Sequence, residues 1–179
     1  ALYVTTTSGN NIVVNNIFAN SQTTGTRYAF YVDGTINPNI FTTINYNNYY
    51  STGATGYIAG GARPNIASWI AGTGQDANSL AANPLFISAS NLHLQDASPL
   101  NHAGLNVNPV CPSCQKDIDD ETRAVGTGPL APDIGADEFT PPNCTSPILS
   151  AGTVSINQTE LCVTGTVSLS ATGYNIGEG

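Results

Sequence analysis

The chain has 179 residues, 40% hydrophobic and only 9% charged, with a formal net charge of −8. That apolar content suffices for a folded core and excludes wholesale disorder, while the only Lys or Arg side chains, Arg27, Arg63, Lys116 and Arg123, are too few to neutralise a phosphate backbone or an anionic membrane surface. No apolar run approaches the length of a membrane span, and the wealth of Asn, Thr, Ser and Gly favours extended, turn-rich structure over helix.

The opening ALYVTTTSGNN carries neither the basic region of a signal peptide nor an initiator Met, and ATGYNIGEG ends without a closing element. The chain therefore reads as part of a longer polypeptide. Internal similarity comes next. NNIF at 15–18 matches NNYY at 47–50, each after alternating apolar residues (IVVNNIF, IFTTINYNNYY). A polar, Gly-bearing turn follows each copy (ANSQTTGT, STGATG), then a second apolar strand (RYAFYVDG, YIAGG). One unit reads strand, turn, strand, turn. The turns are longer than the two-residue type of a tight hairpin, so the units are predicted to stack as coils of a β-solenoid with like residues in columns. Asn16 should lie over Asn48 as an amide ladder, with Ile17 over Tyr49 beside it.

The period then lapses. NIASWIAGTG predicts a short helix capped by Asn65 and ended by Gly72 or Gly74. PLFIS and NLHLQ read as short strands, the second turning Leu92 and Leu94 inward and His93 and Gln95 outward. Four cysteines follow: Cys111 and Cys114 in CPSC, then Cys144 and Cys162. A zinc site would need a second CxxC knuckle or a nearby His, and the wide second pair supplies neither, so disulfides of a secreted protein are the better expectation. TPPNC is a linker whose prolines break the preceding strand. TVSIN and TVSLSAT alternate as the first strands of a sandwich.

SWIAGTGQDANSL, NPLFISASNLHLQDASPLNHAG, DIDDETR and PDIGADEF together resemble the C-terminal part of right-handed parallel β-helix repeat proteins, large secreted or surface proteins of Bacteroidetes-type bacteria, over about residues 10–139. Two positions depart from that pattern: His102 stands where Asp is usual, and Asp120 where Gly is usual. The last stretch resembles the opening of an Ig-like or PKD-like module. The resemblance implies an all-β chain. Residues 1–139 would end a right-handed parallel β-helix, 140–147 would form the Pro-rich linker, and 148–179 would begin an Ig-like sandwich completed by further sequence or by another chain. It also implies a local Cys144–Cys162 disulfide, a secreted or cell-surface location, and export by the type IX pathway.

Two acidic knots pose the functional question. Asp117, Asp119 and Asp120 are loosely reminiscent of a calcium loop, but lack the Gly and the distant Glu of an EF-hand. The favoured alternative is structural closure. Asp117, Asp119, Asp133, Asp137 and Glu138 would accept backbone N–H groups at bends, with Arg123 paired bidentately to one carboxylate, covering the open edge of the stack. No cofactor is then needed, calcium being the one ion this segment could take.

No catalytic residue is assigned. A lyase on polyuronates needs clustered cations, and the repeats hold only Arg27 and Arg63. A hydrolase needs paired carboxylates, and only Asp33 and Asp76 are available, with Asp96 beyond. Tyr49, Tyr50, Tyr57 and Trp69, set among Asn and Thr, suit stacking on sugar rings, but for most of them lining the core is the favoured reading. The expectation is a non-catalytic, structural and adhesive module of an exported bacterial surface protein, with a glycan as its candidate ligand. The runner-up is the terminal part of a polysaccharide-active lyase or glycoside hydrolase, or a carbohydrate-binding module.

Overall fold

The computed structural model describes residues 1–5, 9–34, 40–109 and 111–139, together with the backbone of 153–156 and 169–172. The chain divides into two compact units, Ala1–Phe139 and Thr140–Gly179. In the first, strands β1 (Leu2–Val4), β2 (Asn11–Val14), β3 (Ile17–Asn20), β4 (Tyr28–Val32), β5 (Phe41–Asn45), β6 (Asn48–Ser51), β7 (Ala54–Ile58) and β8 (Gly61–Arg63) precede helix α1 (Ile66–Thr73). β9 (Phe86–Ser88), β10 (Asn91–Leu94) and a 3-10 turn at Gly128–Leu130 follow. In the second unit β11 (Thr153–Ile156) and β12 (Leu169–Thr172) pair antiparallel. The linker at 140–147, Cys144, Cys162 and most of the sandwich stretch expected at 148–179 lie outside the described residues. The class is all-β, with one short helix and no closed barrel among the described residues.

Each strand from β2 to β4 pairs in parallel with the strand three places later: β2 with β5, β3 with β6, β4 with β7. β1 joins β4 in parallel, and β8 folds back antiparallel on β7 through Ala59 and Gly60, both at positive φ, as a two-residue hairpin turn demands. A unit thus holds three strands rather than two. The stretch IVVNNIF bends at Asn15, which sits at φ 57, and its counterpart Tyr46 sits at φ 56, in the left-handed region that Asn tolerates better than most residues.

These bends also correct the register. The Asn15 N–H donates to the Tyr46 carbonyl at 3.0 Å, so the two NN pairs are out of step by one. Ile17 lies opposite Asn48 and Phe18 opposite Tyr49, the two rings stacking at 5.5 Å. The amide ladder therefore joins Asn16 to Asn47, 31 residues on, with Asn16 Nδ2 3.3 Å from Asn47 Oδ1. Asn48 meets Asn16 through the backbone alone, its N–H donating to the Asn16 carbonyl at 2.8 Å. In the sequence both pairs read NN, and only the left-handed bend decides which asparagines meet.

The inward faces bury Phe18, Phe30, Phe41, Ile44, Tyr49 and Trp69 in one core. Helix α1 supplies Trp69. Asn65 caps it by accepting the Ser68 N–H at 2.9 Å, and Gly74, at φ 68, ends it with an N–H to the Ile70 carbonyl at 2.9 Å. The indole packs so closely on β7 that a Cβ added to Gly56 would lie 2.4 Å from Trp69 Cζ3. Gly56→Ala is expected to destabilise the fold by about 1–3 kcal/mol through overpacking, read as a lower urea midpoint by Trp69 fluorescence; an unchanged midpoint would contradict this packing.

A second cluster, Leu94, Leu100 and Ile134 with Ile17, Leu80 and Phe86 packed on it, holds the segment after the helix against the stacked strands. β9 and β10 pair antiparallel with a register shift between Asn91 and Leu94. That irregularity breaks the expected alternation: Leu94 is 3% exposed, whereas Leu92, predicted inward, is 50% exposed.

Candidate functional site

The carboxylates of residues 117–138 are spent mostly on backbone amides. Asp117 Oδ1 accepts the N–H groups of Asp119 at 2.9 Å and Glu121 at 2.8 Å, and its Oδ2 that of Glu138 at 3.1 Å. Burial pushes the Asp117 pKa up, but these amides and Arg123 outweigh it and hold the carboxyl below its usual value. Asp133, wholly buried, accepts the N–H groups of His102 and Phe139, both at 2.5 Å. Burial raises its pKa to about 6, with the two amides opposing the rise and Glu138 adding to it. Asp137 accepts the Leu94 N–H at 2.8 Å, and Glu138 those of Ala124 and Asp133, each at 3.0 Å. Such acceptor-only groups suit bends whose amides have no strand partner.

Arg123 does not form the bidentate pair. Its Nη1 lies 3.5 Å from Glu138 Oε2, and its Nη2 donates to the Gly135 carbonyl at 2.8 Å. Both Glu138 oxygens already receive amides, so the guanidinium takes a carbonyl instead.

Asp117, Asp119 and Asp120 are engaged separately. Asp117 caps amides, Asp119 meets His93 at 2.5 Å, and the Asp120 side chain is 89% exposed with Lys116 Nζ 4.0 Å away. Of the three, only Asp119 converges on a nitrogen ligand, and its companion is Asp137 rather than Asp117 or Asp120: ligand atoms of His93, Asp119 and Asp137 all lie within 4.8 Å of one another. His93 Nδ1 is hydrogen-bonded to Asn91 Oδ1 while Nε2 faces Asp119. The bond to Asp119 raises the His93 pKa, burial opposing it. An imidazole tied at one nitrogen is how proteins present His to a metal, and it equally fixes an imidazolium in an ion pair. One nitrogen and two carboxylates suit a zinc-class ion better than calcium. His93 and Asp137 are far apart in sequence, and no local motif announces them.

The aromatic residues separate into two environments. Tyr49 is 2% exposed and Trp69 0%, so neither offers a ring face to an external ligand. Tyr50 is half-buried and lines a groove of about 300 Å³ with Ser51, Thr55, Pro64, Asn65 and Asn83. Tyr57 belongs to a ladder, stacked on Tyr31 at 4.8 Å, with Tyr3 on the other side of Tyr31 at 5.3 Å. Tyr31 covers one face of the Tyr57 ring and Tyr28 tilts against it at 5.6 Å.

Asp76, one of the two repeat-region carboxylates, is 1% exposed. It accepts Trp69 Nε1 at 2.6 Å and the hydroxyls of Tyr49 and Ser79, with Asn47 Nδ2 at 3.5 Å. Asp33 accepts the Tyr3 hydroxyl at 2.7 Å. Both are absorbed in hydrogen bonds that tie successive units together.

Cys111 and Cys114 form a disulfide with Cα atoms 5.3 Å apart. They border a cavity of about 520 Å³ with Ile12, Val14, Val107, Lys116 and Arg123. No helix among the described residues is long and apolar enough to cross a membrane. No family model, no curated protein and no solved structure matches the chain.

Proposed function

We propose that the chain is the end of a right-handed parallel β-helix followed by the start of an Ig-like module, and that it serves as a structural and adhesive part of an exported bacterial surface protein. The supporting observation is the parallel pairing of every strand from β2 to β4 with the strand three places on. Parallel connections of this kind are overwhelmingly right-handed, and stacking units that touch only their neighbours build a stiff rod. Beyond the last unit the amides freed from strand pairing meet Asp117, Asp133, Asp137 and Glu138, so the acidic segment seals the rod without an ion. Calcium would have to displace amides that these oxygens already hold. A disulfide at Cys111–Cys114 accords with an oxidising, extracellular setting.

Adhesion is assigned to the Tyr50 groove. Its lining is uncharged, the half-buried Tyr50 ring with Pro64, Ile66 and Ala81 beside the amides of Asn65 and Asn83 and the hydroxyls of Ser51 and Thr55, which suits an uncharged glycan rather than a polyuronate. Titration calorimetry with cellohexaose, xylohexaose and mannohexaose should find binding by at least one. Tyr50→Ala should weaken it about tenfold to a hundredfold, the worth of one buried ring, with no change on chelating calcium. Binding of polygalacturonate alone, or depolymerisation of any of these glycans, would favour a polysaccharide-active enzyme instead.

A further inference from the structure

We propose that the Cys111–Cys114 disulfide is a thiol-exchange site that takes a carboxylate-bearing low-molecular-weight thiol onto Cys114. The bridge joins residues only three apart, so it constrains the unfolded chain little and fastens no two elements together. The turn that carries it is held independently: the Cys111 N–H donates to the Val107 carbonyl at 2.7 Å, and the Cys114 N–H to the Cys111 carbonyl at 3.0 Å. Opening the bridge therefore leaves the turn its hydrogen bonds. Exposed disulfides without a structural duty are the exchangeable ones.

The two sulfurs are not equivalent. Cys114 is exposed and Cys111 half-buried, so an incoming thiolate reaches Cys114. Its lone pair forms the new S–S bond to Cys114 Sγ, and the electron pair of the old bond leaves on Cys111 Sγ. The Ser113 hydroxyl, 3.5 Å from Cys111 Sγ, is placed to donate to that thiolate, which then takes a proton from water. A second thiolate attacking the mixed disulfide releases Cys114 as thiolate and carries away a disulfide of two thiols, so the protein gains the two electrons that the two thiols lose.

The class of thiol follows from the cavity. Two of the chain's four Lys and Arg side chains, Lys116 and Arg123, line it in a protein of net charge −8. Lys116 is fixed in that lining by bonds from Nζ to the Asp120 carbonyl at 2.7 Å and the Thr122 hydroxyl at 3.2 Å. A small thiol carrying carboxylates meets Lys116 and Arg123 at this hollow, where Asp120 at 4.0 Å and Glu138 at 3.5 Å compete with it for those cations, whereas the net charge of −8 opposes its approach elsewhere. Glutathione is the probe. The native chain would be incubated with reduced glutathione, quenched with acid and peptide-mapped. The expected result is a glutathione adduct on Cys114, formed at least tenfold faster than exchange with free glutathione disulfide, with buried Trp69 emission unchanged. Lys116→Gln should slow the reaction about threefold to tenfold with glutathione and leave that with uncharged 2-mercaptoethanol unaltered. An intact bridge, adducts on Cys111 equal to those on Cys114, adducts confined to Cys144 or Cys162, or equal slowing with both thiols would overturn the proposal.

Discussion

Asp76→Ala is expected to lower the stability of the first unit by about 3–5 kcal/mol, the loss typical when one member of a buried charged network is removed. Four donors converge on this carboxylate: the Trp69 indole N–H, the hydroxyls of Tyr49 and Ser79, and more distantly the Asn47 amide. They come from β6, α1 and the segments next to them, so one side chain ties the helix to two stacked turns of strand. An indole N–H is donor only and has no second partner once the acceptor is gone. Burial and the Asp76 carboxylate raise the Tyr49 pKa far above its ordinary value, so that hydroxyl remains a donor at any accessible pH. Asp76→Asn should be milder but still costly, because its Nδ2 must face donors on one side or the other. Urea denaturation followed by Trp69 emission checks this, with a fall in Tm of about 10–20 °C for the alanine variant. A loss below about 1 kcal/mol would show that the four contacts are not made together.

Much of this architecture is legible in the sequence. Repetition of NNIF and NNYY pointed to stacked units, and Asn65 with Gly74 marked both ends of α1. What stayed hidden was set by backbone conformation or by distance along the chain. Asn15 and Tyr46 both adopt the left-handed region, yet Tyr rarely signals such a bend, so the register slipped by one residue. His102 and Asp120 are informative for the same reason. His102 has φ 57 and Asp120 φ 67, so Asp120 keeps the left-handed turn that Gly would make at lower cost. The cluster of His93 with Asp119 and Asp137 depends on β10 lying beside two loops, which periodicity does not encode. Asp76 is visible as a carboxylate, but its role rests on Trp69, on Tyr49 with Asn47, and on Ser79 arriving from three stretches of chain.

The first unit should be more stable at pH 4.5 than at pH 7.5, by about 2 kcal/mol from Asp133 alone. Its pKa rises from 3.8 to about 6 on folding, so between those values the folded state binds more protons than the unfolded chain. Stability from this group is fully present below 3.8 and is lost as pH rises through 6. His93 acts in the same direction: its folded pKa is raised above 6.5 by the bond to Asp119, so its contribution is full below 6.5 and disappears as pH climbs through the raised value. Asp117 runs the other way. Its pKa is lowered, and its contribution, present above 3.8, is lost only as pH falls through that lowered value. Together these place the optimum in mildly acidic solution, with Tm about 5–10 °C higher at pH 4.5 than at 7.5. Asp133→Asn should flatten the fall between pH 4 and 6, and His93→Gln the fall above 6.5. His102 lies 3.9 Å from Asp133 Oδ1, so His102→Gln separates its charge from the carboxyl's own titration. A profile that rises from pH 4.5 to 7.5, or a fall between pH 4 and 6 that persists in Asp133→Asn, would mean that Asp133 is not carried into the folded core as a costly carboxylate.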